Sequence, residues 1–125
     1  MPPSKQAPSQ SSRKTGPPRI AIGPDPDGGQ HWLRGAITAG GGQIVPVTEA
    51  EALMWTVPRE ADQLEKVLAA NEQIAWVQLP YAGIEPFVHL VQDDRTWTCG
   101  KGIFAEPVAE LALTLALAGL RSLGT

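Results

Sequence analysis

Short apolar runs alternate with stretches of helical periodicity along most of this chain. The run Arg19–Gly23 is apolar after its first residue and ends in Gly and Pro, which predicts a buried first strand. The same pattern predicts strands at residues 43–47, 74–79 and 96–99. Residues 49–56 are ambiguous, because their alanines favour a helix whereas LMWTV is typical of a strand that follows a short turn.

Apolar residues recur at helical spacing between these runs. Asp27 is placed to cap a first helix that starts near Gly28 and stops at the glycines of residues 40–42. Its apolar positions are Trp32, Leu33, Ala36, Ile37 and Ala39. A second helix is predicted to open at Pro58 and close at Asn71, with an apolar stripe of Ala61, Leu64, Val67 and Leu68. Two further helices are predicted, over residues 84–91 and 106–123, the latter apolar on nearly all sides.

Strands that alternate with helices over short connections are typical of an α/β protein. We therefore predict a parallel sheet with helices on both faces. Residues 1–18 are rich in Pro, Ser, Gln and Lys and have little to bury, so they are predicted to be a disordered tail. This divides the chain into the tail, a domain over residues 19–104 and a last helix over residues 105–123.

Composition and charge narrow the classes of function. The chain has 125 residues, enough for one domain, and a net charge of −3. Residues 1–19 contain four of the ten Lys and Arg and no acid, so the remainder has six basic and 13 acidic residues. An acidic domain is a poor candidate for nucleic-acid binding.

Other sequence features indicate the compartment. A single cysteine, Cys99, excludes an internal disulfide and fits a reducing environment. The N-terminal region lacks the apolar stretch of a secretory signal. The longest apolar stretch, residues 108–120, is shorter than the ~20 residues that a bilayer requires. We therefore expect a soluble, cytoplasmic protein.

Candidate chemistry lies where strands end, because ligands of open parallel sheets bind at the carboxyl ends of the strands. Three such segments are GPDPDGG, WTVPRE and LPYAGIEP, at residues 23–29, 55–60 and 79–86. In the last segment, backbone N–H groups of Ala82, Gly83 and Ile84 precede a predicted helix and could hold a carboxylate. Most turns of this kind are nothing more than tight turns, so spacing alone is a weak signal.

The remaining polar candidates have simpler interpretations. Asp25 and Asp27 could form a metal pair, but turn and capping chemistry is favoured, so no metal site is predicted. Cys99 lies near Lys101 and could be reactive, although a small buried residue at a strand end is the favoured interpretation. His31 and His89 are interpreted as structural or surface residues. The four tryptophans are interpreted as core packing: Trp32, Trp55, Trp76 and Trp97.

The chain has no recognisable dinucleotide site. The glycines of residues 40–42 follow a predicted helix rather than a strand, and no GxGxxG opens a helix.

Two segments together resemble the D-isomer-specific 2-hydroxyacid dehydrogenases. The first is AWVQLPYAGIEPF, residues 75–87, in which a strand ends in a small-Gly-Ile turn. The second is TWTCGKGIFAEPVAELALTLALAGLR, residues 96–121, in which a short strand and a Gly precede a Pro-Val-Ala-Glu helix that ends in Arg. The resemblance covers roughly residues 19–121, and the helix is its more specific part.

The resemblance implies a flavodoxin-like substrate-binding domain and an interdomain linker helix that leads to an NAD-binding domain. It also implies that the turn formed by Tyr81, Ala82, Gly83 and Ile84 holds the carboxylate of a 2-oxo or 2-hydroxy acid of the glyoxylate, hydroxypyruvate or phosphoglycerate type. NAD or NADP would serve the intact enzyme, and this chain alone would bind neither. The chain departs from the family in having Glu85 where Asp is usual.

The family's catalytic Arg, Glu and His are expected downstream of residue 125, on an NAD-binding domain or a second chain, so no catalytic residue is assigned. Arg121 closes the last helix and is not the catalytic Arg. Two hypotheses follow. In the first, the chain is the substrate-binding half of an oxidoreductase and is inactive alone. In the second, it is a stand-alone flavodoxin-like interaction module whose apolar last helix binds a partner or a second copy, as in a homodimer.

Overall fold

A computed structural model describes residues 15–27, 31–92 and 94–122 of the chain. Five strands form one sheet, and three α-helices accompany it. The strands are β1 (Arg19–Gly23), β2 (Gln43–Ile44), β3 (Ala52–Trp55), β4 (Trp76–Gln78) and β5 (Thr96–Thr98). The helices are α1 (His31–Ala39), α2 (Ala61–Ala70) and α3 (Ala105–Leu120).

The sheet is entirely parallel, with the strand order β2-β1-β3-β4-β5. This order is that of flavodoxin-like doubly wound folds. The registers align Gly23 with Trp55 and Met54 with Gln78, so the carboxyl ends of the four longer strands meet at one edge of the sheet. We call this the carboxyl edge, and the candidate chemistry is expected there.

Each of the first two helices covers a different face of the sheet. Leu33 and Ile37 of α1 are buried in the cluster that holds Ile20 and Ile22 of β1. Leu64 and Leu68 of α2 belong to a larger buried cluster on the opposite face, to which the central strands contribute Ala21, Leu53, Trp55 and Val77. The α/β fold with helices on both faces is thus confirmed, because the alternation of buried residues along the strands needs a helix on each side.

Four local predictions are resolved by the structure. The ambiguous segment of residues 49–56 contains β3, and Asn71 ends α2 as predicted. The second strand stops at Ile44 instead of residue 47, because the chain turns into a 3₁₀ helix at Val47–Glu49. The second helix begins at Ala61 and not at Pro58, since Glu60 adopts a left-handed conformation. The start of the first helix near Gly28, which Asp27 is predicted to cap, lies outside the described residues, as does most of the predicted tail.

The predicted helix over residues 84–91 is wrong. A three-residue 3₁₀ helix, Glu85–Phe87, is followed by turns. Phe87 is its one buried residue, whereas Val88 and His89 are exposed. A single anchor does not offset the cost of nucleating a longer helix.

The last helix, α3, differs from the other two in contributing no residue to either buried cluster. It has 16 residues, from Ala105 to Leu120, none of which is buried within the described chain. Six of its apolar side chains are between 54 and 82% exposed: Val108, Leu111, Leu113, Leu115, Leu117 and Leu120. Among the described residues, no helix combines the length and the hydropathy required to span a membrane.

Candidate functional site

The turn of residues 81–84 follows β4 and lies at the carboxyl edge of the sheet. Ala82 and Gly83 are exposed, Tyr81 is 48% exposed and Ile84 is half-buried. The turn is therefore open to a ligand, as a carboxylate site requires. The main-chain N–H groups in the turn are the donors that the site would use.

Glu85 is the charged side chain beside this turn. A Cβ built on Gly83 would meet the Glu85 Oε2 atom at 3.1 Å and nothing closer. Gly83 does not adopt a left-handed conformation, so the glycine is not required by its backbone angles. Because Gly83 has no side chain, a ligand can approach the main chain closely at this position. The neighbouring carboxylate lowers the affinity of the turn for another anion.

The turn also lacks the helix that the sequence analysis placed after it. A 3₁₀ helix of three residues, Glu85–Phe87, contributes little aligned dipole compared with an α-helix. Any binding of a carboxylate here thus depends on the individual N–H groups of the turn rather than on a helix N-terminus.

A groove of about 490 Å³ adjoins the turn at the carboxyl edge. We call it the open groove. Its lining includes Trp32 and Leu33 of α1, and it shares Tyr81 with the turn. The open groove is lined by Trp32, Leu33, Met54, Trp55, Thr56, Trp76, Gln78, Leu79, Pro80, Tyr81, Cys99, Gly100, Ile103 and Phe104. This set contains no Asp, Glu, Lys, Arg or His, so among the described residues the groove has no charged wall.

Two polar side chains in the floor of the open groove, those of Trp76 and Gln78, form hydrogen bonds with Thr98, which lies outside the lining. Trp76 Nε1 donates to Thr98 Oγ1 at 2.7 Å, and Thr98 Oγ1 donates to Gln78 Oε1 at 2.5 Å. Gln78 Nε2 donates in turn to the carbonyl oxygen of Leu79 at 2.8 Å. Because these groups satisfy one another, the floor offers few free donors and favours an apolar occupant.

Two of the tryptophans are not core residues. Trp55 is buried and Trp97 is half-buried, which agrees with core packing. Trp32 is 70% exposed and Trp76 is 38% exposed, so the prediction of core packing is wrong for both. α1 covers only the β1 side of its face of the sheet, and both indoles border the part that no described element covers.

The smaller candidates take structural roles. The Asp27 amide donates to Asp25 Oδ1 at 3.0 Å, and Asp27 Oδ1 lies 3.8 Å from Arg34 Nη1. Turn chemistry therefore describes this pair, and the described residues contain no group of three His, Cys, Asp or Glu that could hold a metal. His31 is exposed, and Cys99 is half-buried where the open groove meets the end of β5.

One spacing escaped the sequence analysis. Gly100, Gly102 and Ala105 form a GxGxxA pattern between β5 and α3, the context in which dinucleotide sites occur. Gly102 has a φ of 85°, which favours glycine, and a Cβ at Gly100 would meet the carbonyl oxygen of Pro80 at 3.0 Å. The two glycines thus have packing reasons of their own. Glu106 in the first turn of α3 also opposes a pyrophosphate at the start of the helix.

A second cavity, of about 480 Å³, lies at the opposite edge of the sheet. Glu65, Glu72, His89 and Arg95 contribute its charged or titratable lining. Arg95 donates to the carbonyl oxygens of Ile74 and Leu68, which accounts for part of its hydrogen bonding. Because ligands of parallel sheets bind at the carboxyl ends, the open groove and its turn are the better candidate site.

Comparisons of this chain with protein families, curated proteins and solved structures found no match, so the resemblance to the D-isomer-specific 2-hydroxyacid dehydrogenases rests on residues 75–87 and 96–121 alone.

Proposed function

We propose that this chain is the substrate-binding domain of an NAD(P)-dependent oxidoreductase that acts on the CH–OH group of D-2-hydroxy acids. The observation that carries the proposal is the open turn of residues 81–84, which lies beside an uncharged groove at the carboxyl edge of a flavodoxin-like sheet. The two segments that resemble the dehydrogenases contain this turn and α3, so sequence and geometry favour the same location.

The chain's own part in the reaction is to bind and orient the acid. N–H groups of Ala82, Gly83 and Ile84 would hold the carboxylate, and the apolar groove would keep water from the reacting carbon. The chain's residues do not fit a nicotinamide cofactor, since the GxGxxA turn is opposed by Glu106 and the chain has no GxGxxG. The reaction itself would therefore need residues beyond this chain.

The lining of the groove favours a small uncharged substituent on the acid. Glyoxylate and hydroxypyruvate meet this condition. A phosphoglycerate-type substrate would need a basic side chain for its phosphate, and no Lys or Arg lines the groove among the described residues.

Amide chemical shifts of the isolated chain test the binding step. We expect titration with glyoxylate or D-lactate to move the amide resonances of Ala82, Gly83 and Ile84, with weak, millimolar-range affinity because the turn is open to solvent and Glu85 lies beside it. D-lactamide, which lacks the carboxylate, is the matched control and should leave these resonances in place. Equal shifts with lactate and lactamide, or shifts confined to other regions, would contradict the proposed site.

Cofactor absorbance tests the reaction. The chain alone should not oxidise NADH or NADPH with any 2-oxo acid, whereas a complex with the polypeptide encoded downstream should do so with at least one. A folded complex that turns over none of these acids counts against the function, even if the carboxylate binds.

A stand-alone interaction module is the second candidate. The exposure of α3 along its whole length favours it, because an apolar surface of this extent is rarely left in water. A chain that binds no acid at the turn but associates through α3 would have this function.

A further inference from the structure

The turn of residues 81–84 is attached to the fold at both of its ends. After it, Phe87 is buried, and its N–H donates to the carbonyl oxygen of Ile84 at 2.8 Å. Before it, Leu79 is buried, and its N–H donates to the carbonyl oxygen of Thr98 at 2.8 Å. The tip of the turn between these attachments is exposed. The two attachments therefore set the position of its N–H groups.

The attachment before the turn comes from the end of β5. Thr98 Oγ1 donates to Gln78 Oε1, and Gln78 Nε2 donates to the carbonyl oxygen of Leu79 at 2.8 Å. Both main-chain polar groups of Leu79 thus have a partner, the N–H at Thr98 and the carbonyl oxygen at Gln78. The chain consequently enters Pro80 from a fixed position.

Gly100, two residues after β5, lies directly against the start of the turn. It is buried, and a Cβ built on it would meet the carbonyl oxygen of Pro80 at 3.0 Å and the Tyr81 Cα atom at 3.5 Å. Both of these are main-chain atoms, which cannot rotate away as the end of a side chain can. Gly100 does not have a positive φ, so its backbone angles do not require glycine. The close approach of Pro80 does require it.

A methyl group at residue 100 would move the turn more readily than the connection that holds Gly100. The connection is fixed by the pairing of β5 with β4, and the N–H of Ile103 donates to the carbonyl oxygen of Gly100 at 3.4 Å. The turn is exposed from Tyr81 onward and has fewer neighbours to resist a displacement. Relief of the contact with Pro80 takes a shift of a few tenths of an ångström.

We propose that Gly100 is a positioning residue for the carboxylate site, and that its lack of a side chain lets Pro80 and Tyr81 approach β5 closely enough to aim the N–H groups of residues 82–84 at one anion. This inference rests on the proposed function. Gly100 itself does not touch the acid and acts through the main chain of Pro80. Small displacements matter here, because several donors must converge on a single carboxylate.

Gly100→Ala tests the proposal in the amide titration with D-lactate. In the ligand-free variant, the amide resonances of Ala82, Gly83 and Ile84 should already differ from those of the unaltered chain. The dissociation constant for D-lactate should rise roughly fivefold, as expected when hydrogen bonds to a charged group are weakened. Unmoved resonances together with an unchanged dissociation constant would overturn the positioning role.

A control separates this role from a loss of stability. Ile37→Val shortens a side chain that is buried in the other core cluster, on α1. It should lower the midpoint of urea unfolding but leave the dissociation constant for D-lactate within about twofold. If Ile37→Val weakens binding as much as Gly100→Ala does, affinity follows stability and the proposal is wrong.

A second substitution identifies the contact responsible. The Cβ at residue 100 would also meet the Ile103 Cδ1 atom at 3.0 Å, which is the mobile end of a side chain. Ile103→Val removes that atom. Gly100→Ala combined with Ile103→Val should bind D-lactate as weakly as Gly100→Ala alone, because the contact with Pro80 remains. Restored affinity in the double variant would assign the effect to Ile103 and overturn positioning through Pro80.

The unaltered chain distinguishes the failure of this inference from that of the proposed function. If D-lactate moves the resonances of residues 82–84 in the unaltered chain and binds Gly100→Ala equally well, only the positioning role is wrong. If D-lactate moves none of them in the unaltered chain, the proposed function is wrong, and the positioning role is wrong with it.

Discussion

Substitution of Gly83 distinguishes a role in ligand binding from a role in folding. Its backbone does not need a glycine, and the atom that an added methyl group would meet is the mobile end of Glu85. Gly83→Ala should therefore change the free energy of unfolding by less than about 1 kcal/mol, while it weakens the binding of a carboxylate by obstructing the main chain. Urea unfolding and the lactate titration, performed on the same preparation, measure both. A large loss of stability would show that the glycine serves the fold.

Substitution of Glu85 should strengthen the binding of an acid at the turn, whereas substitution of Gly83 should weaken it. Its carboxylate lies beside the turn, so it repels an acid bound there. Glu85→Gln should raise the affinity for glyoxylate roughly threefold to fivefold at low salt, and the gain should shrink as salt is added. Glu72→Gln removes the same charge at the opposite edge of the sheet and serves as the control. An unchanged affinity in both variants would indicate that the acid binds away from residues 81–84.

The helices α2 and α3 differ in how far their leucine side chains are exposed. Leu64 is completely buried in the larger core cluster, whereas Leu117 is 54% exposed on α3. Leu64→Ala should cost about 2–5 kcal/mol of unfolding free energy, and Leu117→Ala less than about 0.5 kcal/mol when the chain is dilute. Chemical denaturation of both variants at one low concentration makes the comparison. Similar costs would mean that α3 is packed as firmly as α2.

The elements also show what a sequence can predict. The sequence predicts the apolar stripe of α2 and the residue at which the helix ends. This is possible because Leu64, Val67 and Leu68 recur at helical spacing and all contact the core. The helix predicted over residues 84–91 does not form. Its apolar stretch looks helical in sequence, but Phe87 is its one buried residue. Trp76 occupies a strand position typical of a buried residue, and only the absence of a covering element on that side, within the described chain, leaves it partly exposed.

One part of the candidate site, the turn, was predictable from the sequence, and the other part, the open groove, was not. The turn of residues 81–84 was found from its spacing after a strand, since the carboxyl ends of parallel strands share an edge. The open groove was not found, because its lining comes from segments between residues 32 and 104 that meet only in the fold. The position of the Glu85 carboxylate beside Gly83 also depends on a local conformation that spacing does not give.

The described chain consists of a folded body and one helix, α3, that contributes nothing to the buried core. Both buried clusters are built from β1, β3, β4, α1, α2, the segments between them and the segment that follows β4, and neither includes a residue of α3. The body should therefore unfold cooperatively without help from α3, and α3 should gain order only when something covers it.

A chain shortened to end at Phe104 tests this division. It keeps all five strands and both covering helices, so its unfolding free energy should stay within about 1 kcal/mol of that of the full chain at low concentration. It should also associate less at high concentration, because it lacks the exposed apolar side chains of α3. Chemical denaturation of the full and the shortened chain, each at one low concentration, makes the comparison. If the shortened chain unfolds, α3 belongs to the core, and its role as a linker is wrong.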